Sequence, residues 1–219
     1  MKKITALRTG RSREKRVSVF LDGRFAFSLS AEVAVKADLR AGQELSGEQV
    51  EVLTRSDNFH RCLSVALNYL GYRPRSEFEL RDRLRRRGFG ADYIEAAITK
   101  LKEQDLVDDM AFARFWKDSR ESFSPRSQRL TRLELRRKGV SEDIINQAVH
   151  DVDDEESAYR AAISKSRRWP RSDYQGFRHR LGQYLRRRGF NYEVLNRIVE
   201  RVWQEGEGPG FNYSGNAEK

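Results

Sequence analysis

The sequence predicts a mainly α-helical protein: a tandem array of three three-helix repeats, elongated and curved, preceded by an N-terminal β-hairpin and helices. Three observations predict it. LRRRGF at Leu84 to Phe89 returns as LRRKGV at Leu135 to Val140 and as LRRRGF at Leu185 to Phe190. The tripeptide PRS precedes each of these, at Pro74, Pro125 and Pro170. An apolar stripe of helical period follows each glycine, whereas Val17 to Leu29 alternates with period two.

In VSVFLDGRFAFSL, Val17, Val19, Leu21, Phe25, Phe27 and Leu29 all occupy odd positions, the pattern of strands with one apolar face. A two-residue Asp22-Gly23 loop would put Phe25 and Phe27 on the face opposite the valines. A three-residue loop, Leu21-Asp22-Gly23 with Gly23 left-handed, instead sets Val19 against Phe25 and Val17 against Phe27. A hairpin alone is only marginally stable, so its apolar face is expected to cover the helices that follow. AEVAVKADL reads as a short amphipathic helix, and GEQVEVLTRSDNFHRCLSVALNYL as a longer one capped by Ser46 with Gln49.

The repeats come next. Proline then serine starts a helix, and Ser76 with Glu79, or Ser172 with Gln175, supplies a capping box. The glycine after the cations stops it, because glycine enters the left-handed conformation without steric cost. Each PRS-to-Gly interval is thus one helix, about five residues longer in the third copy. The second helices superpose: Ile94, Ile145 and Leu195 correspond, as do Ala97, Ala148 and Ile198, then Ile98, Val149 and Val199, then Leu101, Val152 and Val202. A third helix precedes each PRS, in CLSVALNYL, AFARFWKDS and AYRAAISKS. The expected divisions are 1–60 for hairpin and helical segment, 61–111, 112–157 and 158–205 for the repeats, and 206–219 for a Gly-rich disordered tail.

With 219 residues and 38% hydrophobic content, small units in series fit better than one deep core. Lys and Arg number 43 against 33 acidic residues, a net charge of +10 that favours a polyanionic or acidic partner. Cys62 stands alone, so neither an internal disulfide nor a thiolate metal cluster is possible within one chain, and His60, His150 and His179 lack ligand spacing. The opening MKKITALRTG lacks the apolar run of a signal peptide, and no window approaches the roughly 20 apolar residues of a membrane span. A soluble, intracellular protein is expected.

The cations end the first helix of each repeat. There they interact favourably with the helix dipole, by about 0.3 to 1 kcal/mol each, but one or two would suffice. Three in a row cover about 300° of a helical wheel, so at least one points away from the repeat's own core. The candidate partner surface is therefore Arg81, Arg85, Arg86 and Arg87 in the first repeat, Arg129, Arg132, Arg136, Arg137 and Lys138 in the second, and Arg178, Arg186, Arg187 and Arg188 in the third. In a DNA-reading helix-turn-helix the second helix enters the major groove. Here the second helices carry Asp92, Glu95, Glu142, Asp143, Glu193 and Glu200, which speaks against base readout and leaves backbone contact open. DLVDDM at Asp105 and DVDDEE at Asp151 offer paired carboxylates, but no nucleophile or base pattern accompanies them, so they read as helix-start caps. No GxxxxGK[ST] or GxGxxG is present. Trp116, Trp169 and Trp203 could stack bases, but at helical spacing they read as interhelix core.

RPRSEFELRDRLRRRGF, its echo SPRSQRLTRLELRRKGV, the LVDDMAFARFW between them, and YLRRRGFNYEVLNRIVERVW resemble the RecX family of bacterial regulatory proteins. The likeness covers about Cys62 to Trp203, and the strand pair and helix before it also fit. Two departures stand out: the third PRS lies about five residues farther from its glycine, and DVDDEE replaces LVDD after the second unit. The resemblance implies a cytoplasmic, non-enzymatic protein without cofactor that binds the RecA recombinase and its nucleoprotein filament, lies in the filament groove, and inhibits strand exchange, ATP hydrolysis and promotion of repressor cleavage. A monomer that also holds single- or double-stranded DNA weakly through phosphates is expected, and the alternative function is a sequence-independent DNA-binding module acting through those phosphate contacts. An array repeating a basic helix at nearly constant interval suits a partner that is itself a periodic polymer.

Overall fold

The computed structural model describes residues 1–10, 16–170 and 173–207. The chain divides into two compact units, Met1–Asp108 and Asp109–Lys219.

The first unit opens with β1 (Lys2–Thr9), β2 (Arg16–Leu21) and β3 (Arg24–Ser30), followed by α1 (Ala31–Lys36), β4 (Glu44–Leu45) and α2 (Gly47–Leu70). The expected hairpin, β2 and β3, is half of a four-stranded antiparallel sheet of order β3-β2-β1-β4. Its loop is not the three-residue one. Asp22 and Gly23 both take positive φ, 49° and 80°, as a two-residue primed turn requires. Parity is restored farther along, where the register slips between Val19 and Phe20: Phe20 pairs with Phe25, Val19 with Phe27 and Val17 with Leu29. Ala26 is the extra residue of a β-bulge. Phe25 is left 61% exposed while Val19 and Leu29 are fully buried.

The apolar face does cover helices. Ile4, Val19, Leu21, Leu29 and Leu45 form one core with Val33 of α1, and Val50 and Leu53 of α2 pack against it. A buried carboxylate fastens the junction: Asp57 of α2 accepts hydrogen bonds from the Ser30 backbone N–H at 2.6 Å and from the Arg16 guanidinium at 2.9 Å. Ser46 and Gln49 make the expected capping box, and α2 crosses position 60, so the N-terminal segment and the first repeat share one helix.

That repeat is completed by α3 (Glu77–Arg86) and α4 (Ala91–Lys102). Ser76 caps α3, and Gly88 with φ 81° ends it. Leu80 and Leu84 are fully buried with Ile94, Ala97, Ile98 and Leu101 against Cys62 and Ala66 of α2, each large side chain contributing about 1.5 to 3 kcal/mol. Burial pushes the Cys62 thiol up to about 11, so it stays neutral.

The second unit holds two repeats: α5 (Asp109–Phe123), α6 (Gln128–Arg137) and α7 (Glu142–Val149), then α8 (Asp154–Ser166), α9 (Tyr174–Arg187) and α10 (Tyr192–Glu207). Every apolar position superposed from sequence is buried, including Ile145, Ala148, Val149, Leu195, Ile198, Val199 and Val202. The α9 helix is 14 residues against 10 for α3 and α6, so the extra length of the third interval becomes an extra turn. Its cap is Asp173, which accepts from the N–H groups of Gln175 and Gly176. The box expected from Ser172 lies outside the described residues. Helix α10 continues to Glu207, past the expected start of the tail at 206, most of which also lies outside them.

Candidate basic interface

The predicted cations are not equivalent. Arg81 is the hub of an ion network, with Glu77 on its own helix and Glu95 on α4, while Lys102 also reaches Glu77 at 2.7 Å. These hydrogen bonds hold the Arg81 guanidinium above its ordinary value, chiefly through Glu95. In the second repeat Arg132 binds the Asn146 side chain and Arg136 binds Glu142 at 2.8 Å. Lys138 lies 4.2 Å from the centre of the Trp116 ring. Arg188 donates to Ser124 Oγ at 3.0 Å and to the Pro125 carbonyl at 2.9 Å, across the junction of the second and third repeats. Arg86 pairs with Asp82 one turn back and stays 76% exposed. Five candidates, Arg81, Arg132, Arg136, Lys138 and Arg188, are thus engaged within the protein.

The others differ. Arg85, Arg87, Arg129, Arg137, Arg186 and Arg187 are exposed, and among the described residues no carboxylate lies within 4.0 Å of any of them. The cap geometry explains the pattern. The leucine of each run, Leu84, Leu135 or Leu185, is fully buried, and the residue two positions on, Arg86, Arg137 or Arg187, projects to solvent in all three repeats. The third cation sits beside the helix stop, where local packing decides its contacts: solvent for Arg87, Trp116 for Lys138, the preceding repeat for Arg188.

The acidic and aromatic candidates settle into the fold. Asp153 caps α8, Asp154 accepts the Gln128 N–H at 2.6 Å, and Asp151 pairs with Lys117. Burial raises the Asp154 carboxyl above its ordinary value. Among the described residues no group of three His, Cys, Asp or Glu could hold a metal ion. Trp116 packs on the second repeat's core and donates to Glu134 at 2.8 Å, while Trp169 and Trp203 pack on Phe177. Glu95 and Glu142 of the second helices pair with Arg81 and Arg136.

The structure gathers Arg129 of the second repeat with Arg178 and Arg186 of the third around one cavity of about 760 Å³. Sequence reasoning missed its other walls: Tyr192, Asn196, His179, Gly182 and the amides of Gln175 and Gln183.

Four family descriptions match the chain in order: the regulatory protein RecX N-terminal domain over residues 2–46, and the first, second and third RecX three-helix domains over 62–101, 108–149 and 153–199. The chain belongs to the RecX family. Regulatory protein RecX of Clostridium perfringens (strain SM101) is 30% identical over 207 residues, covering 92% of this chain and 97% of that one. Regulatory protein RecX of Clostridium botulinum (strain Eklund 17B) is 32% identical over 208 residues with the same coverage. A crystal structure of regulatory protein RecX superposes with a TM-score of 0.62 at 25% identity, covering 91% of this chain and all of the other. RecX from Lactobacillus salivarius gives 0.56 at 27% identity over 67% of this chain.

Two expectations for this RecX-family chain follow from the sorting. Arg188→Ala removes two hydrogen bonds from a charged donor and should cost about 1.5 to 3 kcal/mol, whereas Arg187→Ala should leave the urea midpoint within about 0.5 kcal/mol of the parent. Equal effects would reject the distinction. The second concerns acid. Lys102, then Arg81, holds the Glu77 carboxyl below its ordinary value against its partial burial, and Arg81 does the same for Glu95. A lowered folded-state pKa gives stability that is present above the unfolded value of about 4.3 and is lost as pH falls through the folded one. The thermal midpoint of Glu77→Gln should therefore fall less than the parent's between about pH 5 and pH 3.

Proposed function

We propose that this protein is a non-enzymatic cytoplasmic regulator that binds the RecA recombinase and its nucleoprotein filament and inhibits recombination, ATP hydrolysis and coprotease activity. The observation that carries the reading is the outward cation at one fixed place in each repeat, Arg86, Arg137 and Arg187, on a chain of the RecX family. Dipole complementarity needs fewer cations than each helix end carries. The surplus is available to acidic protein surface or to phosphate on the filament.

A second reading is supported by the net charge of +10 and by the exposed arginines that, among the described residues, have no carboxylate within 4.0 Å: a module that binds nucleic acid through phosphates, with no dependence on sequence. One titration separates the two. A filament regulator inhibits RecA ATPase at concentrations well below those that occupy naked DNA, and Arg86→Ala with Arg87→Ala weakens that inhibition without lowering helicity. Inhibition that simply tracks occupancy of free DNA, falling with salt at a slope near 0.9 per neutralised phosphate, would reject filament recognition.

A further inference from the structure

Aligned on their stop glycines Gly88, Gly139 and Gly189, the three repeats differ sharply at three columns that meet in space. Eleven residues before the glycine stand Glu77, Gln128 and Arg178; seven before it, Arg81, Arg132 and Gly182; seven after it, Glu95, Asn146 and Asn196. In the first repeat these residues neutralise one another, with Arg81 bridging the two carboxylates. In the second, Arg132 fills the space and binds Asn146. In the third, both carboxylates are gone and the central arginine is a glycine. That glycine lines the cavity, whose walls among the described residues include Arg129, Arg178 and Arg186 and no carboxylate.

We infer that this cavity is a nucleotide pocket, accepting a phosphodiester and a base of a single-stranded nucleic acid. Among the described residues neither Arg129 nor Arg186 has a carboxylate within 4.0 Å, although Arg129 feels the more distant Asp154, and Arg178 has no acidic partner but donates to the Asn196 amide oxygen at 3.5 Å and lies near the Tyr192 phenol. Cations left uncompensated around a concavity attract an anion. The volume, about 760 Å³, lies within the range of about 300 to 1,000 Å³ that holds small ligands. At the wall stands Tyr192, 72% exposed, its phenol linked to Asn196 and near Arg178, a ring on which a base can stack. Gln175, Gln183 and Asn196 add amides that both donate and accept, which suits a base edge. An acidic peptide would satisfy the arginines and bond the amides through its backbone, but it brings no base to stack on the Tyr192 ring. The pocket deepens the phosphate-binding reading and rests on it.

The test is fluorescence anisotropy of the full chain with labelled oligo(dT), with an abasic strand of the same length, and with polyglutamate as competitor. Tyr192→Ala should weaken oligo(dT) binding about 5- to 100-fold, the loss of one stacked base, and leave abasic binding unchanged. Arg129→Gln with Arg186→Gln should lower the salt slope by about 1.4, at roughly 0.7 per single-strand phosphate. All three positions are exposed, so thermal midpoints should match the parent's. Pocket variants that bind like the parent would overturn the proposal. So would an equal Tyr192→Ala effect on abasic strand, or polyglutamate binding more tightly than oligo(dT). Failure of the underlying reading looks different: the unaltered chain would show no salt-dependent binding to either strand, and the pocket assignment would fall with it.

Discussion

Gly189→Ala is expected to destabilise the second unit by about 2 to 5 kcal/mol, while the corresponding Gly88→Ala costs only about 1 to 2 kcal/mol. Both glycines end a cation run with positive φ, 89° and 81°, and an L-residue there pays roughly 1 to 2 kcal/mol for the left-handed conformation. The difference is space. A Cβ on Gly88 meets nothing within 4 Å, whereas one on Gly189 would lie 2.5 Å from Ser127 Oγ and 2.7 Å from Leu130 Cβ. Ser127 cannot easily retreat, because it is fully buried, caps α6, and its backbone N–H donates to the Arg188 carbonyl at 3.0 Å. Forced overpacking adds about 1 to 3 kcal/mol. Trp116, Trp169 and Trp203 all lie in the second unit, so urea unfolding followed by tryptophan fluorescence reads Gly189→Ala, and far-UV circular dichroism reads Gly88→Ala in the first unit, which has no tryptophan. Equal midpoints for the two variants would show that the close approach at Gly189 is absent in solution.

Asp57→Ala is expected to cost the first unit about 3 kcal/mol, near the lower end for breaking a buried pair. The carboxylate is 4% exposed, and its loss strands the Ser30 N–H and the Arg16 guanidinium. Arg16 is 26% exposed and can recover some hydration, which keeps the cost from the upper end. Arg16→Gln should therefore cost less than Asp57→Ala. Since no tryptophan lies in this unit, far-UV circular dichroism is the measurement. A ranking with Arg16→Gln as the more damaging change would place the stabilising contact elsewhere.

Most of the helical architecture was legible because periodicity survives wherever one face must be buried. The stripes at Ile94, Ile145 and Leu195 and their followers became core without exception. Strand β1 was not legible: a register shift between Ile4 and Ala6 places Ile4 and Leu7 against the same core, three residues apart, which no period-two pattern contains. The bulge at Ala26 likewise cannot be seen in local alternation, since a longer loop and a bulge restore parity equally well.

The candidate surface was legible only as a class of residue. That each helix would end in surplus cations follows from counting charges against a dipole. Which of them stay free does not, because Arg81 and Arg136 find carboxylates on the following helix, and Arg188 finds a carbonyl 63 residues earlier in the chain. The cavity of the third repeat could have been suspected by comparing copies column by column, where glycine replaces the arginine of the first two at Gly182.

By itself, then, the sequence determined the repeat, its caps and stops, its buried stripes and its excess of positive charge, all of which follow from residue type and spacing along the chain alone. The tertiary structure decided the strand register, the division of cations between internal partners and solvent, and the opening of a basic cavity at Gly182. Those outcomes depend on groups distant in sequence meeting at hydrogen-bond range, where a displacement of about an ångström changes the partner.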